Sequence, residues 1–440
     1  MTILDARGMP VSQGGEALAL YEEALGQLQS YVGDPVATID RALAAHPGFL
    51  LGHAFRAGVL AGFGERRFNE LARTSVEAGR AIASRGNERE RGLLDAAGHL
   101  VDGAWDRGCQ AYERVLIEHP RDAFAVQVAH LFDFFRGDAT NLRNRIARVL
   151  PHWSPSVPGY SYLLGMYAFG LEEHHQYEEA DETAARALAL QPKDGWAVHA
   201  AVHVREMQGR IDEGIQFLES RVDDWSPDNG FAFHNWWHLA LFHLDRGAYD
   251  RVLELYDAAI YPTRSDLSLQ LVDATSLLWR LHLQGRESRE RFAVLSDVWE
   301  EKLDRESEFY AFNDVHALMA FLASGRDRAV AQLLGDLESA AAGKGLNATM
   351  AREVGLPLAR ALCSFEAGRY GAAADALVAT RDIAHRFGGS HAQRDFITLT
   401  LIEAALRAGR TRLARHYIAE RTVQRPASAL GWRLHARAVD

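Results

Sequence analysis

Apolar residues recur every three to four positions along most of this 440-residue chain, which is the pattern of amphipathic α-helices. The helical stretches come in pairs separated by glycine-containing turns, and the pairs repeat at a step of roughly 34 residues. We see no convincing alternation of apolar and polar residues that would indicate a half-buried strand. The pattern therefore predicts an all-α protein of antiparallel helical hairpins, with more than about two thirds of its residues in helices.

One repeat is especially clear between Tyr177 and Pro192. Small residues at Ala180 and Ala187 allow two antiparallel helices to approach closely, and Pro192 ends the second helix. Residues 1–150 contain more degenerate hairpins than residues 151–440, which are the more regular array. We expect the two segments to form one continuous solenoid, in which each hairpin buries its faces against its neighbours.

Composition and charge narrow the possible functions. The net charge of −11 argues against a nucleic-acid-binding surface, since binding phosphates requires concentrated Lys and Arg. Cys109 and Cys363 are far apart and in no C-x-x-C pattern, so neither a thiolate metal site nor a redox pair is indicated. The chain shows neither a signal peptide nor a long apolar segment, which predicts a cytoplasmic protein without membrane partners.

Four histidine- and aromatic-rich strings carry a family resemblance. They are YLLGMYAFGLEEHHQYEEA, WAVHAAVHVREMQGR, FHNWWHLALFHLDRGAYD and YAFNDVHALMAF. Together they resemble the tetratricopeptide repeat protein 38 family and its bacterial members, at least over residues 160–322 and extending over nearly the whole chain. The resemblance implies a tetratricopeptide-like α-solenoid. It implies no particular reaction, so the candidate site has to come from the residues themselves.

The histidines are concentrated in the first helices of hairpins, just before the turn glycines. His199, His203 and Glu206 follow the spacing i, i+4, i+7, which puts them on one stripe of a helix. In the next repeat, His234 and His238 are also spaced i, i+4. First helices line the concave surface of such solenoids, where ligands bind.

Counting back from each turn glycine gives these residues a shared register. Trp237 is in register with His199, and His316 is in register with His238. We therefore predict that these side chains line one central pocket, with at least two imidazoles from different helices within about 8 Å of each other. The adjacent Trp236 is expected to be a core residue instead.

Polar residues inside apolar helical runs add to this candidate pocket. Asp273 lies in LQLVDATSLLW, and Asn313 and Asp314 lie in FNDVHALMAF. A buried acid is costly unless it is paired, and acids beside histidines often orient or tune an imidazole. Asp314 has an alternative role as a helix cap, because Asx residues are favoured there.

Three interpretations of the pocket remain open. The histidines and tryptophans pack the core; or they bind a small polar ligand; or they hold a divalent metal ion through His199, His203, His234 and His238. The first choice is a small-ligand site. Its residues are His199, His203, Glu206, His234, Trp237, His238, Asp273, Asn313, Asp314 and His316.

Two other functions use the same surface. One is an enzyme in which histidine and carboxylate carry out acid–base or metal-assisted chemistry on a small metabolite. The other is a scaffold whose groove binds a peptide or protein partner. The identity of the ligand, any reaction, any cofactor and the oligomeric state are not determined by the sequence.

Overall fold

Residues 3–439 are described by a computed structural model, which is all-α, as the sequence predicts. It is 76% helical. Strand structure in this range is limited to the two-residue strands β1 (Ile3–Leu4) and β2 (Pro10–Val11), which pair antiparallel, and one isolated bridge between Val32 and Asn229. The helices form tetratricopeptide-like antiparallel hairpins, and consecutive helices pack against each other along the chain.

The chain folds into two compact units, and neither is continuous in sequence. The first unit comprises residues 3–201 and 222–232, and the second comprises residues 202–221 and 233–439. The division of the repeats at residue 150, which was based on the regularity of the motifs, stays a prediction.

The first unit contains the helices up to α10, the start of α11, and α13. They are α1 (Glu16–Ser30), α2 (Pro35–Ala45), α3 (Leu50–Ala61), α4 (Arg66–Ala81), α5 (Glu88–Val101), α6 (Trp105–Glu118), α7 (Ala123–Phe135), α8 (Ala139–Val149), α9 (Tyr160–Glu173), α10 (Tyr177–Leu190), α11 (Gly195–Met207) and α13 (Val222–Trp225), with short 3₁₀ turns at Ala83–Arg85 and Leu150–His152.

The second unit contains the end of α11, α12, and α14 onwards. The helices are α12 (Ile211–Glu219), α14 (Ala232–Arg246), α15 (Tyr249–Leu255), α16 (Ser268–Leu283), α17 (Arg289–Glu306), α18 (Ala311–Ser324), α19 (Asp327–Ala342), α20 (Leu346–Met350), α21 (Leu356–Glu366), α22 (Tyr370–Arg381), α23 (His391–Arg407), α24 (Thr411–Gln424) and α25 (Ala429–Arg437), with π turns at Tyr256–Ile260 and Ala351–Gly355 and a 3₁₀ turn at Ala384–Phe387.

Glycines determine where the histidine-bearing helices stop. Gly209, Gly247 and Gly325 follow α11, α14 and α18, and each has a positive φ, of 70°, 83° and 75° respectively. A left-handed residue closes a helix at little steric cost only when it lacks a Cβ atom. The three helices therefore end where the sequence predicts, which fixes the register of the side chains that they carry.

Close helix packing in the first unit also depends on glycine. A Cβ atom on Gly170 of α9 would lie 2.5 Å from the backbone oxygen of Leu142 in α8. Because that neighbour is main chain, it cannot move aside as a flexible side chain would. Gly170 thus allows the close approach of α8 and α9 that a hairpin repeat requires.

Within residues 3–439, no helix combines the length and the apolar character that crossing a membrane would require.

Candidate functional site

Three imidazoles from two helices meet in the interior of the second unit. His203 projects from α11, and His234 and His238 project from α14. The ring centroids of His203 and His238 are 4.6 Å apart, and those of His234 and His238 are 4.9 Å apart. One nitrogen atom from each ring lies within 4.8 Å of the other two. We call these three residues the histidine cluster; all of them are buried.

An acid on a neighbouring helix orients the first imidazole of the histidine cluster. The Nδ1 atom of His234 lies 2.6 Å from Oδ2 of Asp273 in α16, and the carboxylate is 1% exposed. An ionised carboxylate can only accept a hydrogen bond, so the proton belongs on Nδ1 of His234. The acid that the sequence places inside an apolar run is therefore paired with the imidazole of His234. This contact leaves Nε2 on the edge of the ring that faces away from Asp273.

A second acid, Glu206, orients the imidazole of His238. Oε2 of Glu206 accepts a hydrogen bond from Nδ1 of His238 at 2.8 Å, and its other oxygen lies 3.1 Å from a guanidinium nitrogen of Arg425. Glu206 and His203 both belong to α11, one turn apart. The carboxylate thus joins the histidine cluster to an arginine just before the last helix.

Trp237 forms a wall beside this arrangement. Its ring stacks on His234 with centroids 5.3 Å apart, and its Nε1 donates to Oγ of Ser276 at 3.2 Å. Trp237 is fully buried, whereas the adjacent Trp236 is half-buried. The expectation that Trp236 is the core residue of the pair is therefore wrong, because α14 turns Trp237 inward.

Burial keeps His238 neutral. It lowers the pKa of His238 well below its ordinary value, and the neighbouring His203, His234, Arg425 and Arg280 act in the same direction. A neutral imidazole whose Nδ1 carries the proton presents a lone pair at Nε2. The histidine cluster thus has the properties of a base or a metal ligand rather than of a fixed cation.

An arginine–aspartate cluster lies next to Glu206. Arg421 contacts Asp395 through two nitrogens, at 3.1 and 3.0 Å, and Arg425 contacts the same carboxylate at 3.2 Å. Burial alone would raise the pKa of Asp395, but the charges of Arg421 and Arg425 and the hydrogen bonds from Arg421 hold it well below its ordinary range. Asp395 is therefore ionised throughout the physiological range.

Arg280 of α16 is a buried cation that is hydrogen-bonded to backbone oxygens. Its guanidinium donates to the backbone oxygens of Ser276, Ala392 and Gln393, and it lies 5.4 Å from the ring centroid of Trp237. Burial lowers its pKa to about 10. Arg280 remains charged at neutral pH, and it lines the same cavity as Glu206.

A small cavity is lined by these charged groups. Glu206, Arg280, Asp395, Arg421 and Arg425 contribute to its wall, and its volume is about 20 Å³. A cavity needs roughly 10–15 Å³ to hold one water molecule. The cavity therefore has room for about one water molecule.

Three further residues of the predicted site are His199, Asn313 and Asp314. His199 belongs to the first unit, where its ring contacts Phe169, Trp196 and Phe231 at centroid distances of 5.1, 4.9 and 5.2 Å. Asn313 is half-buried and Asp314 is buried near the start of α18. Since Tyr310 is the N-cap of α18, Asp314 is not the helix cap that the sequence offers as an alternative.

His316 lies outside the histidine cluster. Its Nδ1 is 2.8 Å from the backbone oxygen of Phe312, and its ring contacts those of Phe312 and Phe396 at 4.5 and 5.4 Å. The shared register with His238 therefore does not bring the two imidazoles into one group. A register counted along single helices does not specify how neighbouring helices pack against each other.

Four charged residues of the site escaped the sequence analysis, and the sequence carries a signal for one of them. Arg280 interrupts an apolar helical run, as Asp273 does, and a charge in such a run is costly unless it is paired. Applying that rule to arginines as well as to acids identifies Arg280. Asp395, Arg421 and Arg425 lie in polar stretches of sequence, where the rule gives no signal.

Acid is expected to destabilise the second unit through His316. Burial lowers its pKa to about 4, the hydrogen bond to Phe312 opposes this, and the charge of Arg280 adds to it. The ordinary value is about 6.5, so the unfolded chain takes up this proton first as the pH falls. The free energy of unfolding should be greatest above pH 6.5 and fall by about 3 kcal/mol towards pH 4 on account of His316.

Urea unfolding at several pH values between 7.5 and 4.5 measures this dependence. The variant His316→Gln should show a shallower fall, whereas His435→Gln, at an exposed position of the same unit, should match the wild type. Equal slopes for wild type and His316→Gln would contradict the assignment.

No protein-family model matches the sequence. Among solved structures, the chain is similar to a human IFIT1 dimer with m7Gppp-AAAA, at 14% identity and a TM-score of 0.44, covering 96% of this chain and 94% of that one. A human IFIT1 dimer with PPP-AAAA gives 13% identity and a TM-score of 0.43 over 89% and 90%. The Cut9–Hcn1 hetero-tetramer of APC/C gives 11% and 0.31 over 96% of each chain. At these values nothing about function is inferred from the similarity.

Proposed function

We propose that this protein is a tetratricopeptide-like solenoid of the tetratricopeptide repeat protein 38 family, and that it binds a small polar ligand at the histidine cluster. The family assignment rests on the four motif strings, three of which encode α11, α14 and α18. The observation that carries the binding proposal is the meeting of His203, His234 and His238 in a buried site with two paired carboxylates.

Packing alone does not account well for this arrangement. Five ionisable groups, the three histidines with Asp273 and Glu206, are buried together, and each buried polar group is costly when apolar side chains could fill the space. Neutral imidazoles and acids offer both donors and acceptors in fixed directions. Such groups, beside a flat apolar wall such as Trp237, are typical of small-molecule sites.

An enzymatic role for the same site is the second candidate. The pairs Asp273–His234 and Glu206–His238 have the geometry in which a carboxylate holds the tautomer of an imidazole that acts as a base. Acid–base turnover would use Nε2 of either ring. The binding proposal does not depend on turnover, because both candidates require a ligand at the histidine cluster.

Thermal unfolding with a defined panel tests the binding proposal. The panel comprises formate, acetate, bicarbonate and inorganic phosphate, each at millimolar concentration, with untagged protein in EDTA and again with Zn²⁺. At least one compound should raise the Tm of the wild type by several degrees, since a ligand at about 100 times its Kd adds about 2.7 kcal/mol.

The shift should disappear in the double variant His203→Gln/His238→Gln and persist in His316→Gln, which changes a buried histidine of the same unit outside the cluster. If no compound shifts the Tm, or if the double variant responds as the wild type does, the site is structural.

A further inference from the structure

We infer that the histidine cluster binds one divalent transition-metal ion of the zinc type, with His203, His234 and His238 as its protein ligands. This inference rests on the proposed function and names the class of ligand for the same site. The set of four histidines that the sequence suggests, which includes His199, stays a prediction.

The ligand set fits the chemistry of zinc. Imidazole nitrogens bind Zn²⁺ at about 2.0–2.1 Å, and three histidines with an open fourth position are an established zinc arrangement. Tetrahedral coordination at that length places the nitrogens ~3.3 Å apart. The three nitrogens here already lie within 4.8 Å of one another. Side-chain rotations that move these nitrogens by less than about 2 Å would bring them to the spacing of tetrahedral coordination. Mg²⁺ and Ca²⁺ prefer oxygen ligands and fit it poorly.

The two carboxylates fit the same interpretation. Metal-binding histidines usually donate their other N–H to a carboxylate, which fixes the tautomer and raises the basicity of the ligand nitrogen. Asp273 and Glu206 accept from Nδ1 of His234 and His238, at 2.6 and 2.8 Å. Both rings are therefore held with Nε2 as the ligand atom, which is the requirement for the two rings to share one ion.

The buried acids also lower the cost of placing a cation at the histidine cluster. Asp273 and Glu206 are 1% and 3% exposed, and a divalent ion in the protein interior is very costly without nearby carboxylates. Glu206 also contacts Arg425 at 3.1 Å, which offsets part of this compensation.

Zinc titration of untagged, chelator-treated protein tests the inference. Competition against a chromophoric chelator at pH 7.5 should give one Zn²⁺ per chain with a Kd below about 1 µM. His234→Gln and His238→Gln should each weaken binding by at least about tenfold, and His316→Gln should leave it unchanged. Mg²⁺ at millimolar concentration should not compete.

X-ray absorption of the zinc-loaded wild type gives a readout that needs no variant. Scattering from three imidazoles is expected, and an all-oxygen shell would overturn the inference even if a variant failed to fold. Absence of stoichiometric binding, or equal affinities of His238→Gln and His316→Gln, would also overturn it. A panel compound that binds in EDTA and requires His203 and His238 would then leave the proposed function standing without the metal.

Discussion

Replacing Asp395 by Asn should lower the free energy of unfolding of the second unit by about 3–5 kcal/mol, the cost of breaking a buried ion pair from one side. Arg421 and Arg425 both contact this carboxylate at 3.0–3.2 Å, and both guanidinium groups are buried. The variant leaves two arginines facing a neutral amide, without the solvent that would compensate an exposed cation. Urea unfolding followed by tryptophan fluorescence at pH 7.5 measures the change.

Asp375→Asn is the matched control for this prediction. Asp375 pairs with Arg410 on the surface, where the two side chains are 69% and 40% exposed. Surface ion pairs contribute at most about 1 kcal/mol, so this variant should unfold close to the wild type. If Asp395→Asn lost no more stability than Asp375→Asn, the arginine–aspartate cluster would not stabilise the fold.

The second large effect concerns metal affinity. The double variant Glu206→Gln/Asp273→Asn is expected to bind Zn²⁺ about 100-fold or more weakly than the wild type, since losing one such partner of a metal-bound histidine typically costs 10–100-fold. The amides keep the shape of the acids but remove both negative charges, and they no longer fix which imidazole nitrogen carries the proton.

Two measurements distinguish this positioning role from a structural one. The visible spectrum of the Co²⁺-loaded protein should change in the double variant, because the orientation of the ligand rings changes, while circular dichroism should show a retained helical fold. Glu403→Gln removes another buried acid of the same unit, one paired with Arg407 and Arg437, and it should bind Zn²⁺ as the wild type does. Affinities of the double variant and wild type within threefold of each other would refute the role of the carboxylates.

The helices and part of the site could be predicted because they depend on local sequence. The 3.6-residue periodicity and the glycine turns define α11, α14 and α18, and the i, i+4 spacing places His234 and His238 on one face of α14. Trp236 and Trp237 show the limit of this reasoning. Neighbouring residues differ by about 100° around a helix. An error of one position in the assumed helical register therefore assigns the buried position to the wrong tryptophan.

The rest of the site depends on contacts between distant residues. Nothing near Glu206 in the sequence indicates that Arg425 will contact it, and nothing near Asp245 indicates Ser428. Hydrophobic periodicity reports which face of a helix is buried but not which helix covers it. For the same reason the sequence does not predict which residues belong to each of the two compact units.

The hydrogen bonds of Asp245 have a consequence for the synthesis of this protein. Asp245 accepts from the hydroxyl of Ser428, 183 residues later, and from the backbone of Ala429 at the start of α25. Domains generally fold as units while the chain emerges from the ribosome. The first unit is closed by residues 222–232, through Asn229 and Ser30.

Glu206 gains Arg425 only when residue 425 has been synthesised, so this ion pair beside the histidine cluster forms late. A chain that ends before that codon would lack the ion pair and the contacts of Asp245 with Ser428 and Ala429. Such a truncated chain would contain all three histidines of the cluster without the contacts that hold Glu206 and Asp245 in place.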